Sequence, residues 1–166
     1  MAQENSVMLA VIMERKTLDN KWASHRWEAV VVLPDEDAAS GAPRKCFEDS
    51  ERTQWLVPGL ELRLYRDEAE NYLLNVGAPE PRVFVMWRLG DATGECQLAM
   101  PQRVTVSYGE AARMMDSGEQ VDGVPLPDDL HGWIEDFARG HYRPQEKKQK
   151  VKRYASSKPR PEQGGA

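Results

Sequence analysis

The chain has 166 residues, of which 40% are hydrophobic and five are tryptophan, enough for one domain with a substantial core. A 30% charged fraction and a mean hydropathy of −0.66 fit a water-soluble protein, and no stretch approaches the ~18 apolar residues of a membrane-spanning helix. The charge is uneven: residues 143–166 hold eight Lys or Arg against Glu146 and Glu162, a net of +6, which leaves residues 1–142 at −11 in a chain total of −5.

The opening, MAQENSVMLAVIMERK, places an acid ahead of a short apolar run and has no basic n-region, which argues against a secretory signal. Its apolar part reads as a strand covered on both faces. RWEAVVVLP reads as a second strand, with Trp27, Ala29, Val31 and Leu33 on one side and Val30 and Val32 on the other. Residues 35–50, rich in acids and small side chains, read as a loop. In QWLVPGLELRLYR, Leu60, Leu62 and Leu64 alternate inward with Glu61, Arg63 and Tyr65 outward. NYLLNV and RVFVMWRLG, on either side of GAPEP, read as a hairpin in which Val83, Val85 and Trp87 share a face.

The period changes after RVTVS. Ser107 and Glu110 match a capping box, and the helix they open is expected to run through Met115 and stop at Gly118. VDGVPLP is extended. Asp128 is then expected to cap a helix whose Leu130, Trp133, Ile134 and Phe137 form one stripe, with Gly140 as its stop. Strands first and helices last predict an α+β fold: a curled antiparallel sheet or small open barrel closed by two C-terminal helices. Residues 1–142 form a single globular domain in this reading. Residues 143–166, with almost nothing to bury, form a disordered basic tail.

Chemistry-bearing motifs are scarce. Neither GxGxxG nor GxxxxGK[ST] occurs, and the first glycine is Gly41. Cys46 and Cys96 are lone thiols fifty residues apart, which fits free thiols in a cytoplasmic protein or one long-range disulfide. A metal site built on His25, Cys46 and Cys96 has no local ligand spacing behind it. Ser107 is accounted for by capping. The acids of YRDEAEN read as a solvated turn or helical cap, and Trp27, Trp133 and Phe137 read chiefly as core. Trp22, in the turn with His25 and Arg26, is the aromatic best placed for an exposed rim.

WASHRWEAVVVLP, LRLYRDEAENYLLN, VFVMWR and the block from VTVSYGEAARMMDSGEQ to FARGHY together resemble a small bacterial family of undefined function. Its members often end in a basic tail, and their genes commonly accompany those of formate dehydrogenases. Many carry the name molybdopterin-guanine dinucleotide biosynthesis protein A. Enzymes that attach GMP to molybdopterin open on a glycine-rich strand-loop, whereas the matching place here, AVIMERKTLDNK, has no glycine.

The resemblance therefore implies a non-catalytic accessory or assembly factor for a molybdenum- or tungsten-dependent formate dehydrogenase, without a cofactor of its own. Its partners would be a formate dehydrogenase subunit or the maturation proteins, with no nucleic acid and no membrane span. The residues nominated for partner binding are Trp22, His25, Arg26, Trp133, Lys147, Lys148, Lys150, Lys152 and Arg153. The alternative is a protein that binds or handles the molybdopterin cofactor, for which Arg26, Arg63, Arg82 and Arg88 would supply the cationic pocket.

Overall fold

The computed structural model describes residues 5–19, 25–35, 41–90 and 97–144. One antiparallel sheet has the order β2-β1-β4-β3, built from β1 (Ser6–Thr17), β2 (His25–Pro34), β3 (Arg44–Glu48) and β4 (Arg52–Arg63). A second, of order β6-β5-β7, is built from β5 (Arg82–Leu89), β6 (Ala99–Thr105) and β7 (Gln120–Pro125). The helices are α1 (Ala69–Val76), α2 (Tyr108–Asp116) and α3 (Asp128–His141), with a 3-10 turn at Arg66–Glu68 leading into α1. The α+β expectation holds. The two sheets lie against each other, β4 beside β6 and β2 beside β7, without closing into a barrel.

The alternating residues of the strands make the core. Leu9, Val11 and Met13 of β1, Val57, Leu60 and Leu62 of β4, and Val83, Val85 and Trp87 of β5 all point between the sheets and are buried. Leu64, Tyr72, Val76, Leu130, Ile134 and Ala138 extend this core into the helices, which close the end where β4 stops and β5 begins. Tyr72 is fully buried there, and its hydroxyl accepts the Tyr65 N–H at 2.8 Å. Asn75, also fully buried, stitches the same end: its amide donates to the carbonyls of Arg82 (2.7 Å) and Val106 (2.9 Å) and accepts the Arg82 N–H (3.0 Å).

Four local expectations are corrected. NYLLNV is not a hairpin strand but the body of α1. Ala69, Tyr72, Leu73 and Val76 recur at helical spacing, and that stripe is what packs inward. The loop expected at 35–50 contains β3, whose five residues are all exposed and so leave no alternation to read. Pro127, not Asp128, is the N-cap of α3; Asp128 and Asp129 sit in the first turn, where carboxylates favour the positive end of the helix.

The fourth correction concerns β2. Ile12 pairs with Val31 but Met13 pairs with Ala29, so Val30 is a bulge residue. Alternation restarts there: Ala29 and Val32 face the core, while Val31 and Leu33 face out. Bulges also break the pairing of β1 with β4 and of β5 with β6, at Pro58-Gly59 and near Pro101, where the ladder tolerates proline. Gly59 has φ +86, a left-handed conformation that its bulge requires and that a side chain would strain.

Candidate interaction surface

The bulge at Val30 gives the four-stranded sheet its outer face. Across β2, β1 and β4, Val31 pairs with Ile12 and Ile12 with Leu56, while Leu33 pairs with Ala10. Met8 continues the row on β1 and Pro58 adjoins it on β4. Val31 is 37% exposed and Leu33 41%, whereas Ala10 is buried to 5% between its taller neighbours. Among the described residues no helix packs on this face: α1 and α3 pack on each other, and α2 packs on β5 and β7 of the other sheet. Among the described residues, nothing lies over the apolar stripe.

Polar groups frame the stripe. At one end Glu14, only 8% exposed, accepts from Gln54 Nε2 at 2.8 Å and lies 3.5 Å from an Arg52 guanidinium nitrogen. Arg26 lies 3.8 Å from Glu28 on the same face, and at the opposite end Arg63 meets Glu61 at 3.0 Å. Asp49 caps the β3–β4 turn by accepting the Glu51 and Arg52 N–H groups, and these bonds hold its carboxyl below the ordinary range.

The second sheet carries a different surface. Two clefts share Arg103 and Glu110: one of about 330 Å³ between this sheet and α2, and one of about 270 Å³ between β4 and β6. Arg88 forks onto Glu119 with contacts of 3.0 and 2.6 Å, which lowers the Glu119 carboxyl and raises the guanidinium. Arg113 meets Glu68 at 3.1 Å, and Arg103 lies 3.9 Å from Glu110. Beneath them Ser107, fully buried, accepts the Glu110 N–H at 3.1 Å and donates to Glu68 at 2.5 Å. The return arm of the capping box is relayed: Glu110 accepts from the Thr105 hydroxyl, and Thr105 Oγ1 accepts the Ser107 N–H. Glu68 stands at the N-cap position of α1, within the turn-or-cap reading, and is in addition a tie between α1 and α2.

The four arginines considered for a pterin pocket do not converge. Arg63 and Arg88 line the two adjoining clefts, Arg26 is on β2, and Arg82 donates to Gly123 O and lies 3.4 Å from Glu80. Arg26, Arg63, Arg82 and Arg88 each face a carboxylate. Arg103 and Arg113, which the sequence reading passed over, complete these clefts. Both flank the capping box, and that proximity was the available signal.

Of the residues nominated for partner contact, Arg26 is exposed on the same face as the apolar stripe and His25 is exposed at the start of β2. Trp133 is half-buried against the core at the helical end, away from them. Trp22, Lys147, Lys148, Lys150, Lys152 and Arg153 lie outside the described residues, as does Cys96. Cys46 is exposed on β3. Among the described residues no group of three His, Cys, Asp or Glu side chains is placed to hold a metal ion, and no helix is long and apolar enough to cross a membrane.

Residues 8–152 match the model of a family described as Protein of unknown function (DUF3305). No curated protein and no solved structure matches the chain.

Proposed function

The chain belongs to the DUF3305 family, and we propose that it is a non-catalytic accessory or assembly factor that works by binding another protein. A single observation carries this reading: the outer face of the β2-β1-β4-β3 sheet exposes Val31 and Leu33 beside Ile12 and Leu56, with no described element over them. An apolar sheet face costs free energy in water unless something covers it for part of the protein's life. The paired arginines support the same choice over cofactor handling. A phosphate-bearing pterin would have to displace Glu119 from Arg88 and Glu61 from Arg63 before reaching a cation.

The partner we infer is a molybdenum- or tungsten-dependent formate dehydrogenase subunit, or one of the proteins that mature it, on the strength of the family resemblance in the sequence. Biolayer interferometry of the full chain against the purified catalytic subunit and maturation proteins tests this. Saturable, stoichiometric binding to one of them is expected. Binding to none of them would overturn the proposal.

A further inference from the structure

We propose that the chain's own basic segment, residues 147–153, docks on the outer face of the layer formed by α1 and α3. That layer is where the negative charge of the body concentrates. Residues 66–80 and 128–142 hold eight Asp or Glu against Arg66 and Arg139, a net of −6 within the −11 of residues 1–142. Glu68, Glu80 and Glu135 are paired, with Arg113, Arg82 and Arg139. Counting Arg82 and Arg113 into the layer still leaves it at −4. Asp67, Asp128, Asp129 and Asp136 are exposed and form no ion pair among the described residues. Leu130, Ile134 and Ala138 are the buried side of α3, which sets Asp129 and Asp136 on its solvent side.

The two helices run antiparallel. At one end His131 Nε2 donates to Val76 O at 2.9 Å; at the other a cleft of about 450 Å³ is lined by Arg66, Asp67, Glu70, His141, Tyr142 and Arg143. The chain leaves α3 in extended form at Tyr142, on the wall of that cleft. Lys147 and Arg153 follow Arg143 closely enough to reach up to about 14 and about 35 Å from it, at about 3.5 Å per residue. With 14 residues α3 is about 21 Å long. The segment therefore spans from Asp67, beside its root, to Asp128 and Asp129 at the far end. Leu74 lies on the same solvent side, one turn past Glu70 on α1. It is 57% exposed, the most of any large hydrophobic side chain among the described residues, and Val151 is the one apolar residue of the segment.

Charge and tether select this occupant. Lys147, Lys148, Lys150, Lys152 and Arg153 have no acid among them. The outer face of the four-stranded sheet exerts no such pull, because Glu14, Glu28 and Glu61 are matched there by Arg52, Arg26 and Arg63. A short tether holds the segment at a local concentration on the order of millimolar, above that of a second copy in a micromolar solution. The family match runs past the end of α3 to residue 152, through all four of these lysines. Such a hold is electrostatic: it needs no regular structure in the segment, and salt weakens it. It stands whichever protein the partner proves to be.

The test uses the full chain alone. A water-soluble carbodiimide, which joins a lysine amine to a carboxylate, is applied at about 50 and about 500 mM NaCl, and the monomer is isolated for peptide mapping. Links from Lys147, Lys148, Lys150 and Lys152 to Asp67, Glu70, Asp129 and Asp136 should outnumber those to Asp19 and Glu51, exposed at the sheet, several-fold at low salt. They should fall several-fold at high salt. Hydroxyl-radical footprinting should find Leu74 several-fold more reactive when the five basic residues are replaced by Gln, with Leu89, also exposed, unchanged. Asp67→Asn with Asp136→Asn should lower the remaining links to Glu70 and Asp129 about twofold. Links spread evenly over the carboxylates of the body, or equal reactivity of Leu74 in the two proteins, overturns the proposal. So does linkage found only between two copies, which places the segment on a neighbour.

Discussion

Asp122 accepts the backbone N–H of Ala29 at 2.9 Å, so a side chain of β7 closes a main-chain donor of β2 in the opposite sheet. The same carboxylate oxygen accepts the Trp87 indole N–H at 2.7 Å. Both donors sit at the seam where the sheets meet. Replacing the acceptor leaves each of them unpaired at a cost of about 1–3 kcal/mol. Asp122→Ala should therefore lower the urea midpoint clearly, while Asp122→Asn, which keeps one oxygen, should lose less. Equal stability of the wild type and Asp122→Ala would show that the seam does not depend on this acceptor.

Asn75 gives a sharper contrast between two substitutions. Asn75→Ala strands the Arg82 N–H and two carbonyls, at about 1–3 kcal/mol for a buried group left unmade. Asn75→Asp keeps the shape but turns a carboxylate toward the carbonyls of Arg82 and Val106. At neutral pH it should be the more damaging of the two. Mild acid should partly restore it, because a protonated carboxyl can donate. Chemical denaturation at pH 7 and pH 5 separates these outcomes.

Ser107→Ala removes the acceptor for the Glu110 N–H and the donor to Glu68 together. The lost cap alone is worth about 0.5–2 kcal/mol. Because Glu68 ties α1 to α2, the loss should exceed that of Ser117→Ala, whose hydroxyl only donates to the Arg113 carbonyl at the exposed helix end. Thermal melts of the two variants, side by side, would rank them.

The capping box was legible from four letters, and the stripe of α3 from its spacing. Less legible was what each motif was for. Glu68 looked like one of several surface acids, and only the packing of α1 on α2 turns it toward Ser107. Helix α1 was missed because NYLLNV has strand composition, although Ala69, Tyr72, Leu73 and Val76 carried a helical period. The exposed stripe was hidden for a different reason. β1 is apolar on both faces, so its pattern does not say which face meets the other sheet. The Asp122–Ala29 contact joins residues 93 apart and leaves no local trace.

Stability should fall at both ends of the pH scale. Asp49, Glu119 and Glu135 are held below their ordinary range, Asp49 by backbone N–H groups, Glu119 by Arg88 and Glu135 by Arg139. Their contribution is present above the unfolded carboxylate range and is lost as pH falls below about 4. Since these groups are exposed, added salt should shrink the Glu119 and Glu135 parts of that loss.

Tyr72 works in the other direction. Burial raises its phenol, so the folded protein keeps a proton that the unfolded chain releases. Stability is therefore full below about pH 10 and declines above it, by up to about 1.4 kcal/mol per pH unit. Tyr72→Phe gives up the bond from Tyr65 at neutral pH and should flatten this alkaline limb. An alkaline limb of unchanged slope in the variant would assign it to another group.

The bulge in β2 means that the strand carries one residue more than its partner can use. Removing Val30 would leave Ala29 and Val32 facing the core and Val31 and Leu33 facing outward, because the ladder on either side already counts without it. Removing Ile12 from β1, which has no spare residue there, would instead slip part of that strand by one place and turn core side chains outward. A deletion within this run of three valines should therefore fold where deletion of Ile12 from β1 does not, and the stripe should survive in a straighter, less twisted strand. Length at this one position is a spare degree of freedom: it can alter the curvature of the outer face without changing which side chains the face displays.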